Sequence, residues 1–127
     1  MLAKSAKDLR VYQQAYSTAM EIFEFSKKWP KEEKYSLIDQ IRRSSRSVCA
    51  NLREAWCKRR YEAHFKSKLT DVDAENSETD TWLDFAKDCG YLDAPTHQRL
   101  VEQCRAVGKM TGAMLHSAKS FTPHSDH

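Results

Sequence analysis

The amino-acid sequence predicts an all-α protein that folds as one antiparallel, up-down-up-down four-helix bundle. Apolar residues recur at spacings of three and four along four segments. The chain has only three glycines and three prolines, so these segments are rarely interrupted. The connections between them are short, which favours antiparallel neighbours. In a chain of 127 residues we predict one domain over residues 1–121 and a frayed polar tail over residues 122–127.

The first helix is predicted over about residues 7–28. A second apolar row lies beside its main stripe, as a bundle helix with two neighbours requires. Pro30 should end the helix, because its ring blocks the preceding turn and it has no backbone N–H. The predicted buried stripe is Leu9, Tyr12, Tyr16, Ala19, Phe23 and Ser26, and the flanking row is Val11, Ala15, Ile22 and Trp29.

The second and third helices are predicted over about residues 33–58 and 61–89. The second helix carries arginines on the face opposite its apolar stripe. Gly90 can end the third helix in the left-handed conformation. The second stripe is Ile38, Ile41, Ser45, Val48, Leu52 and Ala55, and the third is Phe65, Leu69, Val72, Asn76, Thr79, Leu83 and Ala86.

The fourth helix is predicted to begin after Asp93, whose side chain can cap it, with Pro95 in its first turn. Its stripe runs to the end of the predicted domain. The stripe consists of His97, Leu100, Cys104, Val107, Thr111, Met114, Ala118 and Phe121.

Composition indicates a soluble protein of the cytoplasm. The sequence is 40% hydrophobic and 31% charged, which is typical of a globular domain rather than a disordered chain. No segment has the length of a membrane span or the apolar run of a signal peptide. The four cysteines form no C-x-x-C pair, and we expect free thiols that are buried or half-buried. They are Cys49, Cys57, Cys89 and Cys104.

Charge is distributed very unevenly along the chain, although the net charge is only +3. Residues 42–70 contain nine basic and two acidic side chains, whereas residues 71–93 contain eight acidic side chains and one lysine. The folded molecule should therefore be electrically two-sided.

Several segments resemble the bacterial four-helix-bundle proteins named for the intervening sequence of 23S ribosomal RNA. The matching segments are residues 12–16, 29–37, 40–44, 47–54 and 86–92, and the resemblance covers about residues 9–121. Residues 40–54 are the most specific, because packing alone does not demand Asn51 and Glu54 beside an apolar heptad. Many relatives carry proline at the position of Cys49, so this chain should have no kink there.

The resemblance implies a ring-shaped homopentamer in the cytoplasm with no established enzyme activity. A related bundle is the accessory protein of reverse transcriptases in diversity-generating retroelements, where it resembles a nucleic-acid-binding partner. The resemblance therefore implies RNA or DNA, and a reverse transcriptase or another protein, as partners besides the chain itself.

The basic segment is the candidate nucleic-acid site. Arg42, Arg46, Arg53 and Arg60 recur at spacings of four and seven and so share one predicted helix face, from which they can contact several phosphates. The alternative is a solvated face that pairs with acids of the third helix or of a neighbouring subunit in a ring. The predicted residues are Arg42, Arg43, Arg46, Arg53, Lys58, Arg59, Arg60, Lys66 and Lys68.

Enzyme sites are weakly indicated. A carboxylate-bridged di-iron centre needs Glu-x-x-His pairs, and the sequence has none. A Mg-dependent nucleotide hydrolase could use Glu75 and Glu78 with Asp71 or Asp80, but a second acidic pair of the required type is absent. Asn51 and Glu54 could form a site, or they could satisfy a helix end and fix register. We therefore expect no enzyme activity, cofactor or metal.

Overall fold

The computed structural model describes residues 3–123, which form an antiparallel bundle of four α-helices without any β-strand. The helix α1 contacts α2 and α4, and α3 contacts the same two helices, so α1 and α3 lie diagonally opposite. This confirms the predicted helical bundle. Residues 124–127 of the predicted tail lie outside the described residues. The helices are α1 (Arg10–Ser26), α2 (Asp39–Cys57), α3 (Glu62–Asp88) and α4 (Ala94–His116). None of the described helices is both long and apolar enough to cross a membrane.

The connection between α3 and α4 has the predicted geometry. Gly90 has φ of +84°, in the left-handed region, and the N–H of Tyr91 donates to the carbonyl of Ala86 at 2.8 Å. The carboxylate of Asp93 accepts a hydrogen bond from the backbone N–H of Thr96 at 2.8 Å, which caps α4.

Two predicted helix boundaries are wrong. The segment before α2 is irregular, with a 3₁₀ turn over Lys31–Glu33 and a π-helical turn over Lys34–Ile38, so regular α-helix begins only at Asp39. At the other end of the chain α4 stops at His116 and a 3₁₀ turn over Ala118–Phe121 follows. As expected, α2 continues without interruption through the position of Cys49.

The core has two apolar halves. One half surrounds Phe65 and Leu69, and the other surrounds Ile41, Leu83 and Leu100, all of them fully buried. All seven residues of the predicted α3 stripe are buried. The amphipathic pattern of α3 therefore predicted its core face correctly.

A layer of buried polar side chains lies between these halves. Ser44 and Thr79 share a hydrogen bond of 2.8 Å that joins α2 to α3. The amide of Asn76 donates to the carbonyl of Cys104 in α4 at 2.8 Å. These side chains are hydrogen-bonded, which removes most of the cost of burying them, and each bond links two helices.

The predicted buried face of α1 is correct only in part. Two residues of the predicted stripe, Ala19 and Ser26, are buried, but Tyr16 is 54% exposed. The core also contains Val11, Ala15 and Ile22. These three belong to the row that was expected only to flank the stripe. In this row Val11 and Ala15 fit the space between the helices, and the larger ring of Tyr16 is left at the edge of α1.

The cysteines follow the prediction only in part. All four are free, but Cys57 and Cys89 are exposed rather than buried. Burial raises the pKa of Cys49 to about 11 and that of Cys104 to about 12. Both buried thiols are therefore protonated at neutral pH and behave as small apolar side chains.

Candidate nucleic-acid interface

A surface groove runs between α1 and α2, and we call it the α1/α2 groove. The helix α1 contributes aromatic side chains that are half-buried or exposed, and α2 contributes arginines. The groove is lined by Tyr12, Tyr16, Met20, Arg46, Ala50 and Arg53. It therefore combines an apolar floor with a basic margin.

Phe23 of α1 orients two of the arginines. The guanidinium carbon of Arg42 lies 4.7 Å from the centre of the Phe23 ring, and that of Arg46 lies 5.5 Å from it. Such cation–π contacts favour a fixed position of the side chain. The Nε of Arg42 also donates to the Ser26 hydroxyl at 2.8 Å. Arg42 is half-buried, whereas Arg46 is exposed.

The aromatic part of the groove lies beside Arg53. The rings of Tyr12 and Tyr16 are stacked with their centres 6.2 Å apart and their planes inclined by 27°. Arg53 is exposed and lines the groove together with both tyrosines. Lys7, just before α1, lies near the same tyrosines. Tyr12 is half-buried and Tyr16 is exposed. An exposed ring next to cations is a surface on which planar groups can stack.

Two of the predicted residues are instead paired with acids across the α2–α3 interface. Arg43 pairs with Glu75 at 3.3 Å and also with Glu78. Lys68 pairs with Glu54 at 2.7 Å, and this hydrogen bond lowers the pKa of Glu54 and raises that of Lys68. The alternative interpretation, a face that pairs with acids of the protein's own third helix, applies to Arg43. Lys68 lies on the third helix itself, and its partner Glu54 lies on α2.

The remaining predicted residues lie at or beyond the end of α2. Because α2 ends at Cys57, Arg60 lies in the following turn and does not extend the arginine row along the helix. This part of the predicted face is wrong. Arg59 folds back so that its guanidinium lies 4.0 Å from the Trp56 ring centre. Lys58 and Lys66 are exposed.

The arginine row of α2 that faces α1 differs in its ion pairing from Arg43 and Arg99. Within residues 3–123, Arg42, Arg46 and Arg53 form no ion pair with a carboxylate. Arg43 and Arg99 each pair with glutamates of a neighbouring helix. The groove retains positive charge that the described part of the chain does not neutralise, so it can attract an anionic partner.

The polar residues that suggested other sites have structural contacts. Asn51 donates to the carbonyl of Ser47 at 2.9 Å, and Glu54 pairs with Lys68. Glu75 and Glu78, the candidate metal ligands, both accept from Arg43. No group of three or more His, Cys, Asp or Glu side chains within residues 3–123 has the arrangement of a metal site.

The aromatic half of the groove was missed by the sequence interpretation. Tyr12, Tyr16 and Phe23 were assigned to the buried stripe because they follow the helical spacing. The available signal was the presence of two parallel apolar rows on α1, of which only one can face the centre of a four-helix bundle.

Comparisons with known proteins agree with this fold. The 23S rRNA-intervening sequence protein family matches residues 7–113. The chain is also similar to the crystal structure of a protein of unknown function from the S23 ribosomal protein family of Bacteroides thetaiotaomicron. That similarity has a TM-score of 0.72 at 23% sequence identity and covers 83% of this chain and 97% of the other. None of the curated proteins compared with the chain matches it. Since the family match spans most of the sequence, the chain belongs to the 23S rRNA-intervening sequence protein family.

Proposed function

We propose that this protein is a non-enzymatic, homo-oligomeric bundle that binds RNA or DNA through the α1/α2 groove and the basic turn after α2. It acts in the cytoplasm as an accessory factor of a ribonucleoprotein or a reverse transcriptase. The observation that carries the proposal is the row of Arg42, Arg46 and Arg53, which has no carboxylate partner within residues 3–123.

The positions of these arginines suit a polyanion. Arg42 and Arg53 are eleven residues apart on one helix, which places them about 16 Å apart along its axis. A linear array of guanidinium groups over this distance can contact several phosphates of one strand. The exposed Lys58 and Arg60 extend the positive surface beyond the end of α2.

Assembly into a ring would multiply this interface. The resemblance to ring-forming relatives supports a homopentamer, and each copy would contribute one groove. Several weak phosphate-binding sites on one particle increase the overall affinity for a long nucleic acid, because the second and later contacts become intramolecular.

Filter binding with structured RNA and with duplex DNA tests the proposal. At low salt the wild-type protein should retain both nucleic acids, and moderate salt should weaken retention. Replacing Arg46 and Arg53 with glutamine should reduce affinity by at least about tenfold, with an unchanged helical circular-dichroism spectrum. If the folded wild-type protein retains neither nucleic acid at low salt, the proposal is wrong.

The second candidate is an assembly module without a nucleic-acid role. The surface of α3 favours it, because Phe85 is 53% exposed and Asp88, about one helical turn further along, is also exposed. This acidic, aromatic patch complements the α1/α2 groove, so the patch of one copy could dock into the groove of the next.

Light scattering separates the two candidates. If the module only assembles, Arg46→Gln with Arg53→Gln should lower the particle mass, and the wild type should not bind polyanions. If the groove binds nucleic acid, the same variant should keep the wild-type mass and lose affinity for RNA or DNA.

A further inference from the structure

We infer that the α1/α2 groove binds an unpaired strand of nucleic acid, whose bases stack on Tyr16 while its phosphates contact Arg46 and Arg53. This inference rests on the proposed function and specifies which form of nucleic acid the same site accepts. The observation behind it is the close association of the exposed Tyr16 ring with arginines that lack a carboxylate partner within residues 3–123.

Tyr16 offers an exposed ring to a flat ligand. Tyr16 is 54% exposed, although one side of its ring is occupied by the stacked ring of Tyr12. The stack fixes the orientation of Tyr16 and so lowers the entropy lost when a flat group binds to its outer side. In a duplex the bases are stacked inside the helix, whereas unpaired bases can stack on aromatic side chains.

Two arginines of α2 add positive charge to the same groove. Arg46 and Arg53 are seven residues apart on α2, which corresponds to about 10 Å along the helix axis. Both line the same groove as Tyr16. A row of cations beside a stacking surface is the arrangement with which proteins bind single strands without strong sequence preference.

The length of the arginine row on α2 limits the size of the ligand. From Arg42 to Arg53 the basic row extends about 16 Å, which corresponds to about five nucleotides at the rise of about 3.4 Å per nucleotide of a stacked strand. Phe23 is covered by Arg42 and Arg46, so its ring serves to position these guanidinium groups. Tyr16 is then the ring that is free to accept a base.

A comparison of one strand in two forms tests the inference. The probe is a fluorescently labelled RNA of about 12 nucleotides without self-complementarity, used alone and annealed to its complement. The single strand should bind the wild-type protein at least about tenfold more tightly than the duplex. The Tyr16→Ala variant should lose about tenfold in affinity for the single strand and should bind the duplex as the wild type does. Tyr16→Phe, which keeps the ring, should retain binding.

Tyr35 provides a matched control. It is 81% exposed and lies in the π-helical turn before α2, away from the groove. Tyr35→Ala should therefore leave both affinities unchanged. Equal losses from Tyr16→Ala and Tyr35→Ala would overturn the role of the groove.

The outcomes distinguish this inference from the proposed function. Equal affinities for single strand and duplex, unaffected by Tyr16→Ala but reduced by the arginine substitutions, would overturn the inference and leave the proposed function standing. Binding of neither form would overturn the proposed function itself. A fall in particle mass in Tyr16→Ala, measured by light scattering, would assign the groove to a second copy of this chain and also overturn the inference.

Discussion

Removing two guanidinium groups from the α1/α2 groove should reduce the salt dependence of nucleic-acid binding by a calculable amount. Arg46 and Arg53 are exposed and have no carboxylate partner within residues 3–123. Each neutralised phosphate contributes about 0.7 to the slope of log K against log salt for a single strand and about 0.9 for a duplex. The double variant Arg46→Gln with Arg53→Gln should therefore lower the slope by about 1.4 for a single strand and by about 1.8 for a duplex.

Arg42 is left unchanged in this experiment because it also stabilises the fold. Its bond to Ser26 and its position over Phe23 join α2 to α1, so its removal would mix effects on binding with effects on stability. The assay is fluorescence anisotropy of a labelled strand at several salt concentrations between about 50 and 200 mM. Over this range the wild type should lose about sevenfold more single-strand affinity than the double variant.

The matched control removes the same charge from other faces of the bundle. Arg43→Gln with Arg99→Gln also eliminates two arginines, but these residues already pair with Glu75, Glu78 and Glu21. The slope should change little in this variant. If the two double variants change the slope equally, net charge rather than the groove governs binding, and the reasoning from ion-pair geometry is refuted.

Two further predictions concern stability. Burial and the neighbouring Asp84 raise the pKa of Asp80 above 3.8 in the folded state. The fold therefore favours the protonated carboxyl group of Asp80 over its charged form. The contribution of Asp80 to folding stability is fully present below pH 3.8 and is lost as pH rises through the folded pKa. Asp80→Asn should consequently raise the Tm slightly at pH 7. Thermal unfolding of both proteins at pH values down to about 3.5 should show that this difference in Tm disappears. A difference in Tm that stays constant with pH would contradict the prediction. Gly90→Ala should cost about 1 kcal/mol, because alanine is strained at φ of +84°. Its control, Gly112→Ala, places a methyl group in open space within α4 and should stabilise the protein by up to about 1 kcal/mol in urea unfolding; a loss of stability in both variants would exclude the backbone explanation.

The sequence predicted the whole buried face of α3 but only part of that of α1. On α3 a single stripe alternates with strongly polar residues, so Phe65, Leu69 and Val72 have one possible orientation. On α1 two apolar rows lie side by side, and periodicity cannot select between the row of Tyr16 and the row of Ala15. The choice depends on the volume left by the other helices, which is a property of the assembled core.

The residues of the candidate site were also predicted only in part. Helical spacing correctly placed Arg42, Arg46 and Arg53 on one side of α2. It could not reveal that Arg43 and Lys68 meet acids across the α2–α3 interface, because such pairs depend on the rotation and register of two helices that pack together. Spacing therefore identifies residues on one helix face, and only packing determines which charges remain available.

The hydrogen bond from Thr18 to Gln103 helps the core packing to hold one side of α1 toward solvent. The hydroxyl of Thr18, which is buried, donates to the amide oxygen of Gln103 in α4 at 2.7 Å, and the amide nitrogen of Gln103 donates to Glu21 at 2.8 Å. Rotation of α1 far enough to cover Tyr16 would break both bonds, at a cost of about 1–3 kcal/mol for each polar group left buried without a partner. A contact between the first and last helices thus helps to keep Tyr16 exposed on the opposite side of α1.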